Sequence, residues 1–513
     1  MNIVFVLVDS LTRDCLKAYN AASPCETPNI DKFAARAHVF DNHFVGSLPC
    51  MPARREIIAG RKEFMWRPWG SLEVFDPRLP SEVKKGGYHT HIVTDHYHYW
   101  EEEANGYIQS YDTTEMIRGY EVDHWQAQDP NEDKPAWVKK VEEFRAPEHI
   151  GQYYANVKDF QGEEDYFSAK TFGGACDWLD RHAQKGRFFL HVETFDVHEP
   201  FEIPEPYESM YAEGATKNEF NIWPPYQVYD DLNAFMDQTT PAELAFLKSQ
   251  FMGKVTMMDK WLGTLFDKLE AMGLWEDTMV ILTTDHGHDM GERRAFGKQH
   301  PHFDSHANIP LMMWHPANPG NGRRVSGLTQ TVDLFATIIE AAGVDVTPSC
   351  RHSRSILKMV TEDAPSPRDA LLYGTFGQGI CATDGEWTIL KSPEPDKPLY
   401  LYSTSIFRPL IVDNPVDGRL ATPPNKPVDT GYFDPSVDLP MWKIPIKVDP
   451  RTGENFLFNR VTDPEQNNNL WDGDTEQRAR MLRLVRQLMD EEGYPPEQLA
   501  RLGLEDAAMP APA

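Results

Sequence analysis

The chain has 513 residues, 41% of them hydrophobic, enough to bury one large core and a smaller one beside it. Its 79 acidic and 50 basic residues give a formal net charge of −29, which disfavours a nucleic-acid or anionic-membrane partner. An anionic substrate must then meet a site that is locally positive.

The first run, Asn2 to Asp9 (NIVFVLVD), is apolar and β-branched and predicts a buried strand. Asp9 and Arg13 interrupt it too early for a signal peptide or a membrane span, so a cytoplasmic chain is expected. Thr27 to Ala37 predicts a helix capped by Thr27 or Asn29. The segment Ser47 to Arg61 (SLPCMPARREIIAGR) sets Cys50 just ahead of Pro52, which suits a first helical turn, with Arg54 and Arg55 following. Further strands are predicted at Thr90–Asp95, Arg187–Asp196, Thr278–Gly287 and Pro310–Pro316, with helices at Ala242–Gly273 and Val332–Gly343. This alternation predicts an α/β fold with a largely parallel central sheet flanked by helices.

Two stretches, 97–164 and 199–240, are too long for plain connections and read as insertions walling a substrate cleft. From about Asp369 the pattern changes to short strands broken by turns, then a charged helix from Thr475 to Glu492 and a frayed tail, AAMPAPA. The expected division is therefore a catalytic α/β domain over 1–368 and a smaller α+β domain over 369–513. The cysteines (Cys15, Cys25, Cys50, Cys176, Cys350 and Cys381) are too scattered for a disulfide framework or a C-x-x-C metal site.

Each strong strand candidate ends in polar groups: Asp9; Asp95 and His96; Asp196 and His198; Asp285 and His286. In an open parallel sheet the carboxyl ends of the strands line the ligand crevice, so these residues are expected to meet at one edge. A single Asp at such a position is more simply a turn former or a cap. The whole set is harder to explain that way. Asp9, Asp285 and His286 make a candidate site for one divalent cation: Ca²⁺ first, with Mn²⁺ or Zn²⁺ also compatible. Such an ion would polarise an anionic ester.

The histidine-dense stretch Asp285 to His306 matches no structural zinc spacing and reads as an active-site loop. A second metal would need Asp196 and His198 as further ligands. Lys298, in the same loop, is a candidate oxyanion binder, its plainer reading being a solvated lysine. A lone cysteine is by default a buried thiol. At a helix start, however, Cys50 faces orphan backbone N–H groups and the positive end of the dipole, which suits a nucleophile opposite an anion.

These residues resemble a known family. Cys50-Met51-Pro52-Ala53-Arg54 followed by IIAGR is similar to the C-x-P-x-R signature of type I sulfatases, in the alkaline phosphatase superfamily. The resemblance runs through NIVFVLVDSLTRD, TPNIDKFAARAHVFDNHF, GGYHTHIVTD, FFLHVETFDVHEPF, TMVILTTDHGHDMGE, FGKQH, TVDLFATIIEAAGV and FLFNRVTDPEQNNNL in the family's order. It implies that Cys50 is converted to formylglycine by a formylglycine-generating enzyme, and that the hydrated aldehyde attacks the sulfur of a small-molecule or saccharide sulfate ester. It also implies that Asp9, Asp285 and His286 hold the metal beside residue 50, that Arg54 orients the nucleophile, and that His198 and Lys298 bind sulfate and assist leaving-group departure.

Two positions depart from the family pattern. Ser10 stands where a second acid usually follows Asp9, so the metal loses an anionic ligand or is bound through the Ser10 oxygen. In GGYHTHIVTDHYHYW the usual sulfate-binding lysine is missing; Thr94, Asp95, His96 and His98 occupy the region, and His96 is its expected partial replacement. The aromatic insertion with Arg118 and His124 is expected to shape the pocket for the alcohol half of the substrate, or else to form a small core of its own. A phosphonate monoester or phosphodiester hydrolase is the nearest alternative. A non-catalytic anion-binding protein and a two-zinc phosphodiesterase are more distant ones. A homo-oligomer is compatible with the sequence.

Overall fold

The computed structural model describes residues 1–101, 105–224, 236–237, 239–294, 296–298, 301–345, 350–394, 397–405, 428–446 and 453–505. The tail from 507 onward and part of the 199–240 insertion lie outside these. The centre is an eight-stranded sheet of β1 (Asn2–Val8), β2 (His38–Phe40), β3 (His89–Thr94), β4 (Thr113–Met116), β5 (Phe188–Thr194), β6 (Thr278–Thr284), β7 (Leu311–Trp314) and β8 (Arg324–Val325). Their order across the sheet is β8-β2-β7-β6-β1-β5-β3-β4. All pairings are parallel except those of β7, which runs antiparallel to both β6 and β2. Strands β1, β5 and β6 are buried along their whole length, as expected of parallel strands covered on both faces.

Register does the work of assembly. Val8 pairs with both Thr194 and Thr284, and Thr94 pairs with Glu193, so four strands end at one level. The residues that follow them are therefore delivered to the same edge of the sheet.

Helix α1 (Cys50–Ala59) is buried throughout and stops at Gly60, whose φ of +64° is the left-handed conformation that ends helices. A side chain at Gly60 would meet Phe335 and Cys350, so the close approach also needs glycine. Helix α2 (Pro241–Ala271) begins at a reciprocal cap: Thr240 accepts from the Glu243 amide, and the Glu243 carboxylate accepts from the Thr240 amide. The expected helices at 27–37, 332–343 and 475–492 are present as Pro28–Arg36, Asp333–Ala341 and Thr475–Glu491.

A second, five-stranded sheet is built from Leu371–Thr375, Ile380–Thr383, Trp387–Lys391, Phe456–Asn459 and, from far upstream, Ser47–Leu48. That two-residue strand, separated from Cys50 by Pro49 alone, fastens the start of α1 to the C-terminal sheet. The 97–164 insertion contributes β4 to the main sheet and two helices, Ala136–Glu142 and Pro147–Val157. Tyr120, Trp137 and Tyr153 form a core of their own with Trp223 from the other insertion. Part of the aromatic signal in this stretch is thus a local core, while Arg118 and Trp125 line a surface cleft.

Candidate active site

Four side chains from three distant segments converge. One ligand atom each of Asp9, Cys50, Asp285 and His286 lies within 4.8 Å of all the others, and all four residues are buried. Cys50 Sγ is 3.2 Å from His286 Nε2. Ser10 adopts a φ of +60°, rare for a residue with a side chain. In that conformation its amide donates to Asp285 Oδ1 at 3.1 Å and its hydroxyl to Asp9 Oδ1 at 2.6 Å. Ser10 thus aligns the two carboxylates, a supporting role beside the metal-ligand role expected from its position.

Arg54, one turn along α1 from Cys50, reaches back across the strand ends. Its Nη1 donates to Asp285 Oδ2 at 2.6 Å and to the Cys50 carbonyl at 3.1 Å, and its Nη2 to Asp9 Oδ2 at 3.0 Å. Its Nε donates to Glu193 Oε1 at 2.5 Å. Sequence reasoning missed Glu193. The available signal was an acid inside a strand, FFLHVET, that is otherwise suited to complete burial.

Burial and the neighbouring Asp285 push the Asp9 carboxyl up. Asp285, against the same burial, is held down by His286 and Arg54. Burial pushes the His286 imidazole down to about 4, keeping it neutral. Three buried carboxylates (Asp9, Asp285 and Glu193) here face one guanidinium, and a divalent cation fits both the donor set and the surplus negative charge. Burial, and then Asp9, push the Cys50 thiol well above its ordinary value, which disfavours the thiolate.

Lys298 and His96 lie beside this group, with His198 next to Glu199, which Lys298 also approaches. Lys298 Nζ lies 4.0 Å from Asp9 Oδ1 and 3.5 Å from Glu199 Oε2. His96 Nε2 is 3.8 Å from Asp9 Oδ2, the ring is fully buried, and neither of its nitrogens has a hydrogen-bond partner among the described residues. The His198 carbonyl is held by Tyr120 Oη and Lys254 Nζ, both at 2.8 Å.

The other expected site residues go elsewhere. Asp95 accepts from the Phe195 amide and the Thr194 hydroxyl, and Thr94 Oγ1 donates to Glu193 Oε2, so both join adjacent strand ends rather than face a substrate. A residue just past a strand can turn into the sheet edge as readily as into the crevice. Arg118 is engaged by Asp123 and stacked between Trp100 and Trp125. It lines a surface cleft with Trp125, Lys170 and Asp177, none of them in the Cys50 group. His124 is exposed. Asp196 meets Tyr120 and Lys254, the same two groups that hold the His198 carbonyl, and among the described residues the Cys50 group is the one cluster of metal-binding type. In the histidine-dense loop, His286 and Lys298 reach the site, while His302 and His306 pair with each other at 3.0 Å.

The mostly parallel sheet thus carries at its carboxyl edge one metal-capable group, a member of which, Cys50, starts a helix. The family model described as Sulfatase matches residues 1–344, and the chain belongs to that family. It is 26% identical over 428 residues to the multifunctional alkaline phosphatase superfamily protein PehA of Trinickia caryophylli, covering 73% of this chain and 80% of that one. To an arylsulfatase of Clostridium perfringens it is 22% identical, covering 74% and 82% of the two chains. Among solved structures, the phosphonate monoester hydrolase of Agrobacterium radiobacter superposes with a TM-score of 0.64 at 18% identity, covering 95% of each chain.

Proposed function

We propose that the chain hydrolyses an organic sulfate ester to alcohol and sulfate, with Cys50 matured to formylglycine by a formylglycine-generating enzyme and one divalent cation bound by Asp9, Asp285 and His286 beside it. The observation that carries this reading is the convergence of Asp9, Cys50, Asp285 and His286 within 4.8 Å, at the start of a helix. Two carboxylates and one imidazole suit Ca²⁺, with Mn²⁺ or Zn²⁺ as competitors. The named substrates and activities of the relatives, sulfate esters of aryl groups and saccharides, support the same class.

The bound cation would neutralise charge on the ester oxygens, and the hydrated aldehyde would supply one hydroxyl for attack on sulfur and a second to expel sulfate. The chain's own residues do the rest. Arg54 holds Asp9 and Asp285 in place and touches the backbone of residue 50. Lys298 and His96 offer charge and N–H groups to the ester's oxygens. His198 gives the departing alcohol its proton.

The test is twofold. Peptide mass analysis of protein from a host that installs formylglycine is expected to show residue 50 as the aldehyde, with one sulfur and two hydrogens lost and one oxygen gained relative to cysteine. Matched nitrophenyl sulfate and phenyl phosphonate esters are expected to give the higher kcat/KM on the sulfate. Unmodified Cys50, or a clear preference for the phosphonate, would overturn the assignment.

A further inference from the structure

Glu199 is fully buried directly after His198, and no part of the mechanism above uses it. Both of its carboxylate oxygens are occupied. Oε1 lies 2.9 Å from His288 Nε2. Oε2 lies 3.1 Å from His198 Nδ1 and 3.5 Å from Lys298 Nζ. His288 is itself fixed, its Nδ1 lying 2.9 Å from the Asp289 carbonyl. One carboxylate therefore ties together the loop after β5, the loop after β6 and the lysine that faces Asp9.

The consequence for His198 follows from donor counting. Its Nδ1 faces the Glu199 carbonyl at 2.7 Å as well as Oε2, and both are acceptors, so the Nδ1 position carries hydrogen. Nε2 is then the nitrogen whose proton can come and go. When Nε2 also carries a proton the ring is cationic; burial, and then Lys298, hold the imidazole well below its ordinary value, and the adjacent Glu199 carboxylate works against both while fixing the ring's direction. Burial alone would raise the Glu199 carboxyl, but Lys298, His198 and His288 hold it well below its ordinary value, so it stays charged.

We propose that Glu199, braced by His288, is a positioning residue that aims His198 and Lys298 at the leaving-group oxygen. The proposal rests on the ester-hydrolase reading and adds a residue to it. In the step concerned, the nucleophile's oxygen bonds to sulfur as the ester's oxygen–sulfur bond breaks, the electron pair of that bond stays on the alcohol oxygen, and this oxygen takes the Nε2 proton of the doubly protonated His198, which is left neutral with its hydrogen on Nδ1. Glu199 exchanges no proton and touches no reacting atom. Its effect should grow as the leaving group becomes more basic, because only a poor leaving group needs the proton.

The experiment compares wild type with Glu199→Gln on aryl and alkyl sulfates of rising leaving-group basicity, and on phosphonate monoesters carrying the same leaving groups. Circular dichroism and thermal unfolding check the fold. Glu199→Gln is expected to lose about 100-fold in kcat on the poorest leaving group and less than about 5-fold on the nitrophenyl ester, with KM within about 2-fold throughout. Glu199→Asp is expected to recover part of the loss. An equal loss across the series, a change confined to KM, or no change overturns the proposal. If Glu199→Gln does not fold, His288→Asn takes its place; it frees Oε1 without touching His198 and should steepen the leaving-group dependence in the same sense, an unchanged dependence counting against the proposal. If wild type turns over only phosphonates, the sulfate assignment falls while the phosphonate series still decides the role of Glu199. A wild type inert on both series removes both.

Discussion

Cys50 Sγ and His286 Nε2, 236 residues apart in sequence, lie 3.2 Å from each other, with Asp9 and Asp285 completing the group. Ser10 stands at its edge in a left-handed conformation that Asp also tolerates. Calcium affinity rises with the number of anionic ligands. Ser10→Asp is therefore expected to bind Ca²⁺ about tenfold more tightly or better, measured by titration calorimetry on chelator-treated protein. Unchanged affinity would place residue 10 outside the ligand shell.

Arg54 is the one guanidinium shared by Asp9, Asp285 and Glu193, all fully buried. Removing one partner of a buried ion cluster leaves uncompensated charge, at a cost of about 3–5 kcal/mol. Arg54→Ala should lower the urea midpoint of the metal-free protein accordingly. Arg54→Lys should recover only part of the loss, since an ammonium cannot fork to three carboxylates. Wild-type stability in Arg54→Ala would show that the cluster is not held by this residue.

His96 is buried against Phe195 and Tyr99, with its ring nitrogens unpartnered among the described residues. Burial, and then Arg54, push the imidazole well below its ordinary value, so it meets an anion as a neutral N–H donor. His96→Phe keeps the ring and removes the donor. A hydrogen bond to a charged group contributes about 1.5–3 kcal/mol, so kcat/KM should fall roughly 10- to 100-fold with little change in stability. Unaltered kinetics would make His96 a packing residue.

Glu56 braces the loop before Cys50: its Oε2 accepts from the Ser47 amide at 2.6 Å, and its Oε1 from the Thr331 hydroxyl. Burial pushes this carboxyl up to about 7, against those hydrogen bonds. Between the unfolded value and about 7 the folded chain holds a proton that the unfolded chain has released. Stability therefore falls as pH rises through that window, and the loss is complete above it. Glu56→Gln should flatten this fall by up to about 3 kcal/mol, read from urea unfolding at about pH 5 and pH 8. The same slope in both proteins would assign the pH dependence to other groups.

Much of the catalytic edge was legible because a parallel strand buried on both faces leaves a distinctive apolar run, and the polar residue that ends the run is easy to mark. Asp9, Asp285 and His286 were found that way, and Cys50 by its place before Pro52. Glu193 was hidden because its acid lies inside such a run, where pattern alone offers no partner; its reason is Arg54, 139 residues away. Arg118 shows another limit: an arginine among aromatics suggested a pocket, and Asp123 and two tryptophans hold it in a surface cleft whose lining residues are none of the Cys50 group. The two-residue strand Ser47–Leu48 was too short to show any period, although it joins the nucleophile helix to the second sheet.

The sequence by itself determined the layered α/β architecture and which strand ends carry reactive groups, because burial and strand periodicity are local properties of the chain. Only the tertiary structure decided which of those groups meet. Asp9 and Asp285 turn into the crevice, where Arg54 reaches both, while Asp95 turns to the Phe195 amide and the Thr194 hydroxyl and Asp196 to Tyr120 and Lys254, a choice made by strand register and by the donors each carboxylate finds within reach.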